Sequence, residues 1–341
     1  MVEPGSAGDG PPDHLDREVT AYVAGGGETG LTVELNERAW DRWSLRPRVL
    51  RDVSTVDPSV TVLGHRVAHP VFVAPMAGLS WLDPGGEVAC AAGARAAGMG
   101  FCLSSGSAST LDDVGMATGP FLQQVYLWPE RDRMRPFLEA CATAGAMGFL
   151  LTVDSPPQAA RYGFRGRLGP LPFVSAPNFD GGRPPAGSPA DSGPADIAWL
   201  RDVSGLPVVV KGILRGDDAA TALDAGAAGV AVSNHGGRQV DGSITTAEAL
   251  PEVVEAVGGR GLVLVDGGIR QAEDIVRALA LGADAVLVGR PVAWALARGG
   301  EGEVCRLLTA LADGVVAQMA LCGAATAADL TPDLVVWRPW D

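Results

Sequence analysis

Residues 207–237 read PVVVKGILRGDDAATALDAGAAGVAVSNHGG. Apolar runs alternate with a helix-like segment in this part of the chain, and this alternation indicates the fold class. The apolar run Pro207–Ile213 is followed by a helix-like segment, Asp217–Gly226, and then by a second apolar run, Gly229–Gly236. Short, nearly continuous apolar runs are typical of parallel strands buried on both faces, and a glycine after a helical segment suits a helix C-cap. The stretch therefore predicts a strand, a helix and a second strand parallel to the first.

The same alternation continues in both directions along the chain. It predicts eight strands: Val71–Ala77, Gly100–Ser105, Phe121–Leu127, Gly148–Asp154, Pro207–Ile213, Gly229–Gly236, Leu262–Gly268 and Ala285–Gly289. The helices predicted between them are Gly86–Gly98, Glu130–Gly145, Asp217–Gly226, Thr246–Gly258 and Gln271–Gly282. Eight strands that alternate with helices predict an α/β fold, a (β/α)8 TIM barrel, and a doubly wound open sheet is the alternative.

The 341 residues exceed the roughly 150 expected for one domain, but single α/β barrels are routinely longer. We expect a disordered tail over residues 1–15 and a single domain over 16–341, with core strands beginning near residue 71. An N-terminal helical extension precedes the barrel, with a possible helix at Asp13–Ala24 and an arm at Trp40–Val53. The Gly/Pro/Ser-rich residues 165–192 are predicted to form a mobile active-site loop.

Composition excludes several classes of protein. The net charge of -14 disfavours nucleic acid and anionic membranes as partners. The five cysteines form no CxxC pair and have no metal-ligand spacing with the four histidines, which favours a reducing cytoplasm and no metal. The N-terminus lacks the features of a signal peptide, and no apolar run approaches the 18 residues of a membrane-spanning helix.

Lys211 is the single lysine among 26 basic residues. It ends an apolar strand, whereas a lysine that survived by chance on the surface would be expected in a polar loop. Because the guanidinium of arginine is larger and planar, the two residues are not interchangeable at a tight site. The position therefore indicates a site that needs a compact ammonium group.

Polar residues cluster at the predicted carboxyl ends of the strands, where barrel active sites lie. Gly267 and Gly268, with Arg270 and Arg290, predict a phosphate site toward which the helix beginning near Gln271 points its N-terminus. A tight turn without a ligand is the alternative interpretation of the two glycines.

His235 is followed by Gly236, Gly237 and Arg238 in a predicted active-site loop, unlike the other histidines. Asp154, at another strand end, is a candidate to orient its imidazole. Arg161 and Arg238 are candidates to bind a substrate carboxylate, because arginine pairs with carboxylates in a bidentate manner.

The run Ser233-Asn-His-Gly-Gly-Arg-Gln239, followed by Asp241-Gly242, resembles the active-site signature of the FMN-dependent α-hydroxy-acid oxidases and dehydrogenases. That family includes glycolate oxidase, lactate oxidase and mandelate dehydrogenase. The resemblance covers most of the chain, from the arm Arg46–Val53 through Leu151–Asp154 and Val210–Ile213 to Met319–Gly323.

The resemblance implies FMN as cofactor and a role for each matching residue. His235 corresponds to the base that takes either the α-proton or the hydroxyl proton of the substrate, and Asp154 to its ion-pair partner. Arg161, Arg238 and Tyr126 correspond to substrate-binding residues, and Lys211 to the lysine at flavin N1/O2. The implied FMN contacts are Ala74, Pro75, Met76, Ala77, Ser104, Gln124, Thr152, Lys211, Ser233, Asp266, Gly267, Gly268, Arg270, Gly289 and Arg290.

Three departures from the family concern the substrate. Alignment on Ala24-Gly25-Gly26 places Thr20 where the family has a carboxylate-binding tyrosine, and Tyr22 is expected to point elsewhere on its helix. Gly106 replaces a tryptophan, and the loop after the fourth strand is shorter than in many members. Thr20 and Gly106 are therefore counted among the substrate-binding positions, and glycolate and L-lactate are predicted to be poor substrates.

The resemblance predicts an oxidoreductase that converts a 2-hydroxy acid to the 2-oxo acid, with hydride transfer to flavin N5. The departures predict a bulkier acid, and the cysteine usage predicts a cytoplasmic protein. Ala77 weakly favours O2 over another electron acceptor, with H2O2 as product. The alternatives are oxidation of an amino-acid-like or other modified substrate, a non-redox flavin isomerase of the type 2 isopentenyl diphosphate isomerase kind, and a flavin protein with altered or lost catalysis. A homotetramer or homo-octamer is expected.

Overall fold

Eight parallel strands close into a barrel in the computed structural model, which describes residues 10–156, 175–183, 185 and 187–339. The strands are β4 (Val71–Val73), β5 (Gly100–Leu103), β6 (Phe121–Val125), β7 (Ala146–Thr152), β8 (Val208–Ile213), β9 (Gly229–Val232), β10 (Leu262–Val265) and β11 (Ala285–Val288). Neighbours follow chain order around the barrel, and β11 pairs with β4 to close it. The predicted (β/α)8 barrel is confirmed, and the open sheet is wrong.

Seven of the eight strands end earlier than predicted, and the fifth ends at Ile213 as predicted. The first predicted strand, Val71–Ala77, ends at Val73, and the sixth, Gly229–Gly236, ends at Val232. After Val73 the apolar residues Ala74 to Ala77 continue because they line a cavity above the barrel, so hydrophobicity alone does not mark where strand pairing stops. After Val232 the chain becomes polar at Ser233.

The ten described helices lie around the barrel or at its carboxyl end. They are α1 (Arg17–Ala24), α2 (Leu31–Asp41), α3 (Gly86–Ala96), α4 (Leu111–Thr118), α5 (Arg135–Thr143), α6 (Pro194–Ser204), α7 (Gly216–Asp224), α8 (Thr246–Val257), α9 (Ala272–Ala280) and α10 (Arg290–Leu321). Four of them, α2, α4, α6 and α10, were not predicted. The predicted N-terminal helix begins later than expected, at Arg17, because the carboxylate of Asp16 caps it by accepting a hydrogen bond from the Glu18 amide at 2.7 Å.

Two small sheets complete the fold. The hairpin β2 (Val60–Val62) and β3 (His65–Val67) packs against the barrel interior, and part of the predicted arm forms β1 (Trp43–Leu45), which pairs with β12 (Val335–Trp337). The first nine residues of the predicted tail and residues 165–174, 184 and 186 of the predicted active-site loop lie outside the described residues.

Helix α10 passes the length and composition test for a membrane span, contrary to the expectation from the sequence. It is interrupted at Gly299 and Gly300, whose backbone is not helical. Its buried residues after the break, which include Val304, Leu308 and Val315, recur at the spacing of one helix face, and α10 packs against α3 and α9. This pattern is typical of a helix that covers the core of a globular domain.

The barrel interior contains a layer of buried side chains to which each strand contributes one. These are Phe72, Cys102, Leu122, Leu150, Val209, Ala231, Leu264 and Leu287. Because side chains alternate between the two faces of a strand, the residues two positions further along point to the same side as this layer. Those residues are Ala74, Ser104, Gln124, Thr152, Lys211, Ser233, Asp266 and Gly289. The polar layer at the carboxyl end is therefore the continuation of the apolar interior.

Candidate active site

A cavity of about 300 Å³ lies at the carboxyl end of the barrel, directly above this interior layer. Its volume is at the lower end of the range for small-molecule sites. The predicted residues that line it are Ala74, Pro75, Met76, Ala77, Ser104, Gly106, Gln124, Tyr126, Thr152, Lys211, His235, Arg238, Asp266, Gly267, Gly268, Arg270, Gly289 and Arg290. Asp154 and Ser233 lie behind this lining, and Arg161 lies outside the described residues.

His235 and Asp154 form a pair at the cavity wall. The Nδ1 atom of His235 lies 2.9 Å from Oδ1 of Asp154, and the imidazole lines the cavity. With Nδ1–H donated to the carboxylate, the tautomer leaves a lone pair on Nε2. His235 has a φ of 60°, a strained value for a residue other than glycine, and such strain clusters at functional sites.

The charge state of Asp154 is set by competing effects. Burial of the carboxyl disfavours the charged form, but the positive charge and hydrogen bond of His235 and the charge of Lys211 outweigh it and lower the pKa of Asp154. The Asp154 carboxylate is therefore ionised at neutral pH and can accept the hydrogen bond from Nδ1–H of His235.

Two residues that sequence reasoning missed support this pair. The hydroxyl of Ser155 lies 3.3 Å from His235 Nδ1 and 3.3 Å from Asp154 Oδ1, and the side-chain amide of Gln239 donates a hydrogen bond to the same hydroxyl. Ser155 directly follows the motif TVD, and Gln239 directly follows the motif HGGR. A serine or a glutamine at these positions does not by itself predict contact with the pair.

The Asp154→Asn variant should lower kcat by about 10²–10⁴-fold, because an amide does not stabilise the imidazolium that forms when His235 takes a proton.

The same variant should also change how the free energy of unfolding depends on pH in the acid range. The pKa of Asp154 is depressed in the folded protein, so its stabilisation is present above the unfolded pKa of about 3.9 and is lost as the pH falls further. Urea unfolding at pH 7 and pH 3 should show a smaller loss of stability in the variant than in the wild type. Equal losses would contradict the assignment.

Lys211 lies in the polar layer with its side chain 5% exposed. Its Nζ donates to the Ser233 hydroxyl at 2.7 Å and pairs with Oδ2 of Asp266 at 3.0 Å. Burial opposes its positive charge, but the carboxylates of Asp266 and Asp154 outweigh this and raise the pKa of Lys211. The single lysine is therefore a charged group inside the site.

Uncharged hydrogen-bonding groups form the neighbouring part of the layer. Gln124 accepts hydrogen bonds from the amide and hydroxyl of Ser105 at 3.0 and 3.1 Å and donates to Thr152 at 3.2 Å. The register of β7 and β8 places Thr152 beside Lys211. Ser105 was not predicted as a site residue. This row presents donors and acceptors to one wall of the cavity, as the polar edge of a flavin ring requires.

The opposite end of the cavity concentrates positive charge. Burial, together with the charges of Arg238 and Arg270, lowers the pKa of Arg290 to about 9. The Arg290 guanidinium donates to the carbonyls of Val23, Gly25 and Gly236 at 2.9–3.1 Å. Guanidinium groups that repel one another in a buried site are the expected surroundings of a bound phosphate.

The backbone around these arginines matches only part of the phosphate prediction. Gly267 and Gly268 have φ values of 92° and 80°, so this turn requires glycine. The amides of Arg270 and Gln271, however, donate to the carboxylate of Asp274. The predicted phosphate site at the start of α9 therefore lacks these two donors. Helix α10 begins at Gly289 and Arg290 in the cavity wall and offers the better-placed N-terminus.

The placement of Tyr22 and Thr20 reverses the expectation from the sequence. Tyr22 lines the cavity, whereas Thr20 does not. Val19 and Tyr22 form the buried face of α1, and a residue two positions from Tyr22 lies on nearly the opposite side of a helix. The guanidinium of Arg238 lies 4.7 Å from the centre of the Tyr22 ring. The structure therefore places the aromatic side chain of Tyr22 at the cavity, and it does not place Thr20 there.

The residues present fit FMN. The arginine-rich end, with Arg270, Arg290 and the Gly267–Gly268 turn, would hold the phosphate. The polar row and Lys211 would hold the flavin ring, and Ala74 to Ala77 provide an apolar wall for its face. Tyr22, Tyr126, Arg238 and His235 remain to contact a substrate carboxylate and hydroxyl.

Comparisons with known proteins agree with this arrangement. The family described as FMN-dependent dehydrogenase matches residues 12–172 and 187–337. An L-lactate oxidase from Nostoc sp. is 40% identical, with 93% of each chain covered. A 4-hydroxymandelate oxidase from Amycolatopsis orientalis is 39% identical, with 91% of each chain covered. A solved structure of mandelate oxidase with (S)-2-phenylpropionate is 37% identical, with a TM-score of 0.87 over 96% of this chain and 95% of that one. The chain therefore belongs to the family of FMN-dependent 2-hydroxy-acid oxidoreductases.

Proposed function

We propose that the protein oxidises a 2-hydroxy acid with a side chain larger than that of glycolate or lactate to the 2-oxo acid. The observation that carries this proposal is the His235–Asp154 pair, which faces the same cavity as Arg238, Tyr22 and Tyr126. The cavity thus combines a base with groups that bind a carboxylate and a hydroxyl, which are the two functional groups of the substrate class.

The chain's own residues bind the acid and move one proton. Arg238 binds the carboxylate, with Tyr22 beside it, and Tyr126 donates a hydrogen bond near the substrate hydroxyl. Nε2 of His235 takes a proton from the substrate, and Asp154 stabilises the resulting imidazolium. FMN, when bound, would supply the oxidising chemistry by accepting the two electrons and the second hydrogen that the substrate loses. Lys211 contributes a fixed positive charge to the wall of the cavity, where it stabilises developing negative charge.

The proposed substrate size follows from the lining near Ala77. Gly106 lines the cavity without a side chain, at the position where the family resemblance implies a tryptophan. Leu79, Leu82 and Pro185 add apolar surface to the cavity. This apolar part of the lining favours a hydrophobic substituent on the hydroxy acid. Two of the relatives named above are a 4-hydroxymandelate oxidase and a mandelate oxidase, which is consistent with an aryl substituent here.

Aryl and long-chain 2-hydroxy acids should reduce bound FMN with a kcat/KM at least about tenfold above that for glycolate, since each additional buried methylene contributes about 0.8 kcal/mol. The measurement is anaerobic bleaching of FMN across a series of acids with increasing side chains. In a Gly106→Trp variant, FMN loading should be checked first, and the preference for large acids should then shrink. Glycolate turnover equal to that of the best substrate would contradict the proposed size.

We further propose O2 as the electron acceptor, with H2O2 as product, because Ala77 occupies the cavity wall and the named relatives are oxidases. Rapid reoxidation of the bleached protein on mixing with air tests this proposal, and reoxidation only by a quinone or dye would contradict it. We also propose a cytoplasmic location, which is consistent with the five free cysteines. A homotetramer or homo-octamer is the proposed oligomeric state.

A further inference from the structure

We propose that Asn36, on helix α2 outside the barrel, is a positioning residue that links the loop carrying the base to the turn that holds the FMN phosphate. The loop, residues 233–245, is called the base loop, and the turn Gly267–Gly268 is called the glycine turn. The inference rests on the proposed role of His235.

Asn36 is joined to the base loop by a buried, reciprocal pair of amides. Its Nδ2 donates to Oδ1 of Asn234, and Nδ2 of Asn234 donates to Oδ1 of Asn36, both at 2.8 Å. The two residues are 2% and 4% exposed. Because each amide is both donor and acceptor and the pair is buried, it holds one relative position of helix and loop.

The partner, Asn234, directly precedes His235. Its Oδ1 also accepts a hydrogen bond from the amide of Gly237 at 3.0 Å. This bond joins the residue before His235 to the backbone after it. The strained φ of His235 persists only where surrounding contacts determine it. Asn36 supplies such a contact from outside the loop.

Asn36 also abuts the glycine turn. A Cβ added at Gly268 would lie 1.9 Å from the carbonyl oxygen of Asn36, and one at Gly267 would lie 3.3 Å from Asn36 Nδ2. One turn further along α2, the indole of Trp40 donates to the carbonyl of Gly267 at 2.8 Å. The same face of α2 therefore packs on the turn assigned to the phosphate.

The base loop in turn caps α2. The carboxylate of Asp241 accepts hydrogen bonds from the amides of Thr29 and Thr32 at 2.8 and 2.9 Å, and the amide of Gly27 donates to the carbonyl of Gly237 at 2.7 Å. Because the loop is attached at the start and in the middle of α2, a shift at Asn36 is transmitted to both the base and the glycine turn.

The test compares Asn36→Leu with the matched control Arg38→Gln, which removes an exposed ion pair with Glu34 on the same helix. In the Leu variant, kcat per bound FMN should fall at least about tenfold, since small misplacements of catalytic groups have effects of up to about 100-fold. KM should change less than kcat, because Asn36 does not line the cavity. The dissociation constant for FMN, measured by flavin fluorescence on stripped protein, should rise several-fold. The control should match the wild type in kcat per bound FMN, in KM and in the dissociation constant for FMN.

If Asn36→Leu does not fold, Asn36→Asp replaces it; this variant keeps the size and the acceptor, but it places a carboxyl oxygen against Oδ1 of Asn234 in place of the donor. A lower melting temperature with unchanged kcat per bound FMN and unchanged FMN affinity would overturn the inference. Failure of the proposed function is distinguishable, because it appears in the wild-type protein as an absence of FMN reduction by 2-hydroxy acids.

Discussion

The His235→Ala variant is expected to remain yellow and to lose reduction of its bound FMN by 2-hydroxy acids, with a rate at least about 10²–10⁴-fold below that of the wild type. The imidazole lines the cavity and is paired with Asp154, so it is the group placed to take the substrate proton. Its removal leaves the arginine-rich end and the polar row unchanged, and FMN should therefore still bind.

The matched control is His65→Ala, which removes an exposed imidazole from the β2–β3 hairpin. It should reduce FMN at the wild-type rate. Stopped-flow absorbance under anaerobic conditions measures both variants. Reduction of FMN by His235→Ala at the wild-type rate would remove the base assignment and the proposed mechanism with it.

Replacement of Lys211 is expected to have the second large effect. In Lys211→Met, the carboxylate of Asp266 remains buried without its partner, and breaking such a pair costs about 3–5 kcal/mol. The variant should unfold at lower urea concentration, bind FMN more weakly and reduce it more slowly, because the fixed positive charge of the cavity wall is lost.

Lys211→Arg tests why this position has a lysine. The charge is kept, but the larger guanidinium must fit a site that is almost fully buried, and overpacking typically costs 1–3 kcal/mol. FMN affinity and reduction rate should both fall. The control is the same exchange in reverse at the exposed Arg215, Arg215→Lys, which should have no effect. Wild-type behaviour of Lys211→Arg would mean that the single lysine is a product of chance.

The barrel and its polar layer were predictable from sequence because both depend on short-range regularity. Each strand is a run of apolar residues, and the site residues follow the interior layer at a spacing of two. Val209 and Lys211 illustrate this, since the first belongs to the barrel interior and the second to the cavity wall directly above it.

Features that depend on contacts distant in sequence were not predictable in this way. Tyr22 enters the cavity because of how α1 packs, which an alignment on nearby glycines does not reveal. Asn36 pairs with a residue 198 positions away, and no local pattern marks it. The orientation of Asp274 toward the amides at the start of α9 likewise depends on a side-chain conformation that the sequence leaves open.

A single-turnover experiment tests whether the FMN-loaded protein oxidises a 2-hydroxy acid to the 2-oxo acid. FMN-loaded wild-type protein is mixed anaerobically with an aryl 2-hydroxy acid such as mandelate, and both flavin absorbance and 2-oxo acid are measured. Full bleaching is expected, with one 2-oxo acid formed per FMN. Persistence of the oxidised flavin spectrum with mandelate and with every other 2-hydroxy acid in the series would contradict it.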